Sequence, residues 1–536
     1  MKRVLYAALC LVLALSCLSA QETTKSAKTQ AKPAAAKTVH QVPPIIDREL
    51  FFGNPEIAGA QLSPNGKYVT FMKPWKDTRN VWVKGVDEPF SAARLLTTEA
   101  KRPIGGYFWT YDSKYVLFVK DNDGDENFNV FAVDPTAKPA PGAEAPPSRD
   151  LTGLKGIRVI PYELPKKSPD TMYIGINDRD KAWHDLYKLT ISTGEKTLLR
   201  KNTDRITSWV FDLDGNLRLA TRSADNGDTE ILRVDADKFT KIYSCNVFET
   251  CQPIHFQKGN KLVYMETNKG EGNDLVALAL LDPATGDTKM VETDPLKKVD
   301  FGGAVFSEVT DELIATVYAD DQFVRRYFKD KAFEADHNFI AHKFPGMELA
   351  LGSRTLDENV LLFTTYSDTE PGVTYLYDRR THKIVKQYAA REKLDRTALS
   401  PMKVVHYPSS DGLMIPAYLT IPKGSTGKNL PVLVTPHGGP WARDMWGYNT
   451  WSQYWSNRGY AVLQPNFRGS TGYGKKFLDA GNLEWGRLMQ DDITWGVKYL
   501  VAQGIVDPKH VGIMGGSYGG YATLAGVTFT PDLYAA

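Results

Sequence analysis

One pattern recurs along the chain and limits what it can fold into. A turn rich in Ser, Asp, Asn, Pro or Gly leads into an alternating apolar strand. It reads Ser63-Pro64-Asn65-Gly66-Lys67 before Tyr68, and Tyr111-Asp112-Ser113-Lys114 before Tyr115. It returns as Ser168-Pro169-Asp170 before Met172, and as Asp212-Leu213-Asp214-Gly215-Asn216 before Leu217. Weaker copies precede Leu262, Leu313 and Val360, so strand starts fall 47, 57, 45, 45, 51 and 47 residues apart. The longest interval holds the Pro/Ala-rich stretch from Pro135 to Pro147, read as a surface loop insertion. A β-repeat of roughly 45 residues has the length of a propeller blade with four short strands. Seven copies predict about seven blades closed into a ring, which leaves few free strand edges. Other all-β arrays would give a similar count.

After residue 400 strands alternate with helices, the pattern of an α/β domain. Strands are expected at Met414–Ile421, at Pro431–Pro436, at Tyr460–Pro465 and at His510–Gly515, with a helix over Asp491–Gln503. The last strand runs into Gly515-Gly516-Ser517-Tyr518-Gly519-Gly520, followed by helix-forming residues. Gly-x-Ser-x-Gly between strand and helix is the setting of a nucleophile elbow. A sharp turn lifts the Ser517 hydroxyl above the sheet, and close strand–helix packing leaves no room for side chains at Gly515 and Gly519. The Tyr518 amide, at the helix N-terminus, points to where an oxyanion would form. A glycine-rich turn with an idle serine would look the same on this motif alone. A second motif answers that reading. His437-Gly438-Gly439-Pro440-Trp441 directly follows a strand, upstream of the serine, where such hydrolases place the loop that gives the other oxyanion amide. Ser517 is therefore the candidate catalytic residue, with Gly438, Gly439 and Tyr518 as the candidate oxyanion hole. His437 belongs to the loop and precedes the serine, so it is read as structural.

Taken in order, these residues resemble the prolyl oligopeptidase family of serine peptidases, especially its acylaminoacyl-peptidase and bacterial dipeptidyl-peptidase branch. The resemblance is carried by His437-Gly438-Gly439-Pro440, by the string from Asn466 through Phe467-Arg468-Gly469-Ser470-Thr471-Gly472-Tyr473 to Gly474, by Asp491-Asp492, and by Gly515 to Tyr521. It implies a propeller capping an α/β-hydrolase, an active site between the two, and hydrolysis of short peptides. The adjacent Glu-Glu pair by which dipeptidyl peptidase IV anchors a substrate amine does not occur.

A serine hydroxyl needs a base, and the base an orienting acid. In this fold the order is Ser, then Asp or Glu, then His. All nine histidines precede Ser517, and Asp532 is the sole acid after it. The expectation is that the triad Asp and His lie beyond Ala536, that the α/β-hydrolase domain is incomplete in this chain, and that the strand before the elbow exposes an unpaired edge. The chain on its own is then expected to be inactive. Two alternatives remain, a non-catalytic peptide-binding protein built on the propeller and an esterase-type hydrolase.

The N-terminus reads as an address. Lys2-Arg3 precedes an apolar run from Val4 to Leu18 and then Ser19-Ala20, the pattern of a secretory signal. A retained anchor helix, or a lipid on Cys17, are the alternatives. The expected spans are a signal at 1–20, a flexible tether at 21–45, the propeller at 46–398 and the front of the hydrolase at 399–536. Without residues 1–20, positive and negative side chains number 63 each, so no general pull on nucleic acid or anionic lipid is expected. Only Cys245 and Cys251 remain, which close a small loop or stay as two buried thiols. The run Asp121-Asn122-Asp123-Gly124-Asp125-Glu126 lacks the glycine and acid positions of a calcium loop and is read as a hairpin turn. No metal or cofactor is expected. The expected partner is a short peptide, and the expected location is periplasmic or extracellular.

Overall fold

The computed structural model describes residues 42–236 and 238–536. The signal-like run at 1–20, Cys17 and most of the tether lie outside these residues. Seven small antiparallel sheets follow one another along the chain, over residues 58–95, 106–150, 159–200, 206–245, 251–292, 303–328 and 348–389. They are the seven blades of a β-propeller. Every repeat found in the sequence begins the second strand of a blade: Tyr68–Trp75, Val116–Lys120, Thr171–Ile176, Leu217–Ser223, Val263–Thr267, Leu313–Ala319 and Val360–Tyr366.

The turn chemistry explains the repeat. Ser63 Oγ accepts the Tyr68 amide at 2.9 Å, Thr110 Oγ1 accepts that of Tyr115 at 3.1 Å, and Asp212 Oδ1 accepts that of Asn216 at 2.9 Å. Thr355 Oγ1 takes the Val360 amide at 3.2 Å. A short polar side chain thus satisfies a backbone donor at the tight bend before the strand. The run 121–126 joins two strands as a hairpin connection, with Asp125 accepting the Asn122 and Asn127 amides. Cys245 and Cys251 form a disulfide that ties the last strand of the fourth blade to the first of the fifth.

A short helix, α1 (Arg48–Phe52), precedes the first blade. The sixth blade has three strands, then helix α2 (Lys331–Lys343), which the all-β reading of this region did not foresee. Asp330 caps α2 by accepting the Ala332 and Phe333 amides, and Ile340 packs on Leu349, Leu361 and Phe363 of the seventh blade. The ring closes without strand exchange. Leu62 and Val69 of the first blade pack on Leu362 of the seventh, and the Leu62 amide donates to Ser353 Oγ at 2.7 Å.

The remainder is a five-stranded sheet in the order Met402–Pro408, Met414–Thr420, Ala461–Pro465, Leu430–Val434, Val506–Ile513. The last three strands are parallel. The edge expected to be bare beside Val506–Ile513 is partly paired: the Ile513 amide donates to Ala536 O, and the Ala535 amide to Val511 O. Helices α3 (Thr450–Ser456), α4 (Lys475–Asp479), α5 (Leu488–Ala502) and α6 (Tyr518–Phe529) complete this part. Met489, Ile493, Val497 and Leu500 form one stripe of α5, buried on the sheet with Val432, Leu463 and Phe467. Full burial of each such side chain stabilises by about 1.5–3 kcal/mol. Gly496 lets α5 approach, since a Cβ there would lie 2.7 Å from the Tyr407 hydroxyl.

Loops of blades five to seven grip this domain. The Lys475 amide donates to Asp274 O, that of Gly474 to Asp300 Oδ2, and Tyr418 and His406 bond to Asp321. At the other end of the propeller sequence, α1 packs on α3 through Phe51 against Tyr454 and Phe52 against Trp451. The Ile46 amide donates to Asn457 Oδ1 at 2.8 Å. Among the described residues no helix is long and apolar enough to cross a membrane.

Candidate active site

Ser517 stands between strand Val506–Ile513 and α6 with φ 56° and ψ −123°. That is a strained conformation for a residue with a Cβ, and it persists only where the surroundings impose it. The flanking glycines show how. A Cβ on Gly515 would sit 2.6 Å from the Gly519 carbonyl carbon, and one on Gly519 would sit 2.2 Å from Pro436 O. Strand and helix are therefore closer than any side chain permits, and the turn between them must be sharp. Ser517 itself is exposed.

The His437-Gly438-Gly439 loop packs against this bend, as expected. A Cβ on Gly438 would lie 3.2 Å from Gly516 O and 3.3 Å from Ser517 Cβ. Gly439 has φ 122° and precedes a cis peptide to Pro440. Tyr518 is the first residue of α6, so its N–H has no intrahelical partner and carries the positive end of the helix dipole. Its side chain is buried against Phe467 and Trp485 and donates to Met489 Sδ, which anchors the helix start in the core. The structure thus brings all four sequence-predicted site residues together: Ser517, Tyr518, Gly438 and Gly439.

His437 is held away from the serine. Its Nε2 lies 2.8 Å from Ser470 Oγ and its Nδ1 2.7 Å from Gly438 O, and its ring stacks on Phe467. Burial pushes the His437 imidazole below its ordinary value and the Asp444 carboxyl above its own. Both border a cleft of about 390 Å³ that is also lined by Gly515, Gly516 and Trp451. Among the described residues no imidazole is hydrogen-bonded to Ser517. His406 bonds Asp321, His510 bonds Asp507, His382 bonds Tyr377, His342 bonds a helix carbonyl, and the buried Nε2 atoms of His184, His255 and His337 have no partner. No group of three or more His, Cys, Asp or Glu among them could hold a metal ion.

The string from Asn466 to Gly474 supports the His437-Gly438-Gly439 loop. Ser470 receives His437. Asn466 bonds the Asp444 backbone in both directions and also donates to the Tyr473 hydroxyl. Tyr473 carries the Arg443 guanidinium on its ring at 4.2 Å, and Arg443 reaches Ala319 O of the sixth blade. Arg443 and Asp444 were not singled out in the sequence, and only their place just after the His-Gly-Gly loop hinted at a role. Arg468 is buried between two carboxylates, Asp492 and Asp411. Asp492 also accepts from Ser409 and from the Arg468 amide, so the Asp491-Asp492 pair is structural at its second member.

The prolyl oligopeptidase family model matches residues 446–536. Dipeptidyl aminopeptidase BIII of Pseudoxanthomonas mexicana is 37% identical over 518 residues, covering 94% of this chain and 73% of that protein. Dipeptidyl peptidase family member 6 of Caenorhabditis elegans is 30% identical over 536 residues, covering 92% and 70%. The fold resembles that of a solved puromycin hydrolase with a TM-score of 0.69 at 18% identity, over 93% of this chain and 79% of that one.

Proposed function

The chain belongs to the prolyl oligopeptidase family of peptidases, and from that premise we propose that it is a serine peptidase releasing dipeptides from the free amino end of short peptides. Ser517 attacks the scissile carbonyl, and the amides of Tyr518 and of the Gly438-Gly439 loop receive the oxyanion. The observation that carries this reading is the strained Ser517 bend, wedged by glycine contacts and faced by the oxyanion loop. The reading requires an imidazole in reach of Ser517, and that base is not among the described residues' contacts. The dipeptide preference draws on the two relatives named above. It is tested by comparing a dipeptidyl coumarin with its N-acetylated form. A preference of at least about tenfold for the free amine is expected, since an unpaired partner of a buried charge costs 2–5 kcal/mol. Equal rates would favour an endopeptidase, which is indifferent to the amino end.

A non-catalytic peptide-binding propeller is the second reading, and binding of a peptide without any cleavage would favour it. Export is proposed from Lys2-Arg3, the run Val4–Leu18 and Ser19-Ala20, and the Cys245–Cys251 disulfide supports it because such bonds persist in oxidising compartments. Thiol titration of the denatured, unreduced protein from its own cells should find Cys245 and Cys251 unreactive. Two free thiols there would point to a reducing compartment.

A further inference from the structure

The turns between first and second strands of the blades lie on the propeller face away from the hydrolase. The hydrolase is gripped instead by loops between second and third strands, at residues 268–274, 319–323 and 368, and by links between blades at 249 and 300. Neighbouring turns on the far face touch one another. The Leu356 amide donates to Pro64 O from blade seven to one, Asn65 to Ser113 Oγ from one to two, and Asn260 to Asp214 from five to four.

One contact does not follow the ring. Lys166, in the turn of blade three, places its ammonium 2.8 Å from Glu308 and 3.1 Å from Asp311, both in the turn of blade six. It also donates to Glu308 O at 3.3 Å. In a ring of seven, blades three and six are three steps apart one way and four the other, so this contact crosses the central axis. Arg354 of blade seven adds a second cation, 3.5 Å from Glu308 and 3.1 Å from Glu358. The Glu308 amide donates to Glu358 at 2.7 Å, which fixes the turn that Lys166 reaches.

Resting on the peptidase reading above, we propose that Lys166 is a length-selecting residue: by bracing blade three to blade six it holds the far mouth of the channel closed. Peptides then reach Ser517 only at the rim facing the hydrolase, and long chains that would have to thread the channel are refused.

The test compares wild type, Lys166→Met and Lys166→Arg on a dipeptidyl coumarin and on unstructured peptides of increasing length. Lys166→Met should raise kcat/KM for the long peptides about tenfold, the equivalent of ~1.4 kcal/mol, and leave the coumarin unchanged, with Lys166→Arg like wild type. A second readout needs no activity: amide exchange in residues 165–170 and 307–312 should speed up in Lys166→Met and not in Lys166→Arg. Unchanged exchange in a folded Lys166→Met overturns the brace. Faster exchange with an unchanged length profile overturns the length selection. Failure of wild type to cleave any substrate sinks the peptidase reading, while exchange still judges the brace.

Discussion

Ser517→Ala is expected to lower kcat/KM for peptide substrates by about 10⁴- to 10⁶-fold in the protein as its own gene encodes it, while KM changes little. On the proposed mechanism removing Oγ removes the attacking atom, and neither the amides proposed to receive the oxyanion nor the surrounding packing is disturbed. The backbone argument gives an independent check. At φ 56° and ψ −123° both serine and alanine are strained, whereas glycine is not. Ser517→Gly should therefore be as inactive as Ser517→Ala yet more stable than wild type by about 1 kcal/mol in urea unfolding. An inactive, destabilised Ser517→Gly would mean that the bend is not held under strain.

Asp492→Ala is expected to cost about 3–5 kcal/mol, the effect of leaving a buried charge without its partner. The Arg468 side chain is 3% exposed and that of Asp492 is wholly covered. Burial pushes the Asp492 carboxyl up, while Arg468, Ser409 and the Arg468 amide pull it back. Asp411, the outer partner, is 43% exposed, and Arg468 draws its carboxyl down to about 2. Asp411→Ala should accordingly cost about 1 kcal/mol or less, because water replaces what is lost. Equal losses for the two variants in urea unfolding would contradict this ordering. Asp492→Ala should also lower activity in the folded fraction, since Arg468 lies in the segment whose Ser470 and Tyr473 hold His437 and Arg443 in place.

How far the sequence could be read follows from where its signals come from. The blades announced themselves through their bends, several of which need a short side chain to accept a backbone N–H, as Ser63 and Thr355 do. Helix α2 escaped notice. Its cap, Asp330, is a single residue, and it stands where a fourth strand was expected by repetition. The elbow and its loop were legible because glycine is required wherever backbone meets backbone at less than side-chain distance, as at Gly515 and Gly519. The partners of Arg468, and of Lys166, were not. An ion pair leaves no periodic trace, and Lys166 meets residues more than 140 positions away. Whether the cysteines were joined was likewise open until Cys245 and Cys251 were seen to end and begin adjacent strands.

The most direct test is to trap the attacking atom. The protein is incubated with a dipeptidyl phosphonate ester, digested, and its peptides are sequenced by mass spectrometry. A single phosphonyl adduct on Ser517, absent from Ser517→Ala, is the predicted result. Peptide cleavage by a protein whose adduct maps to any other residue would contradict the account.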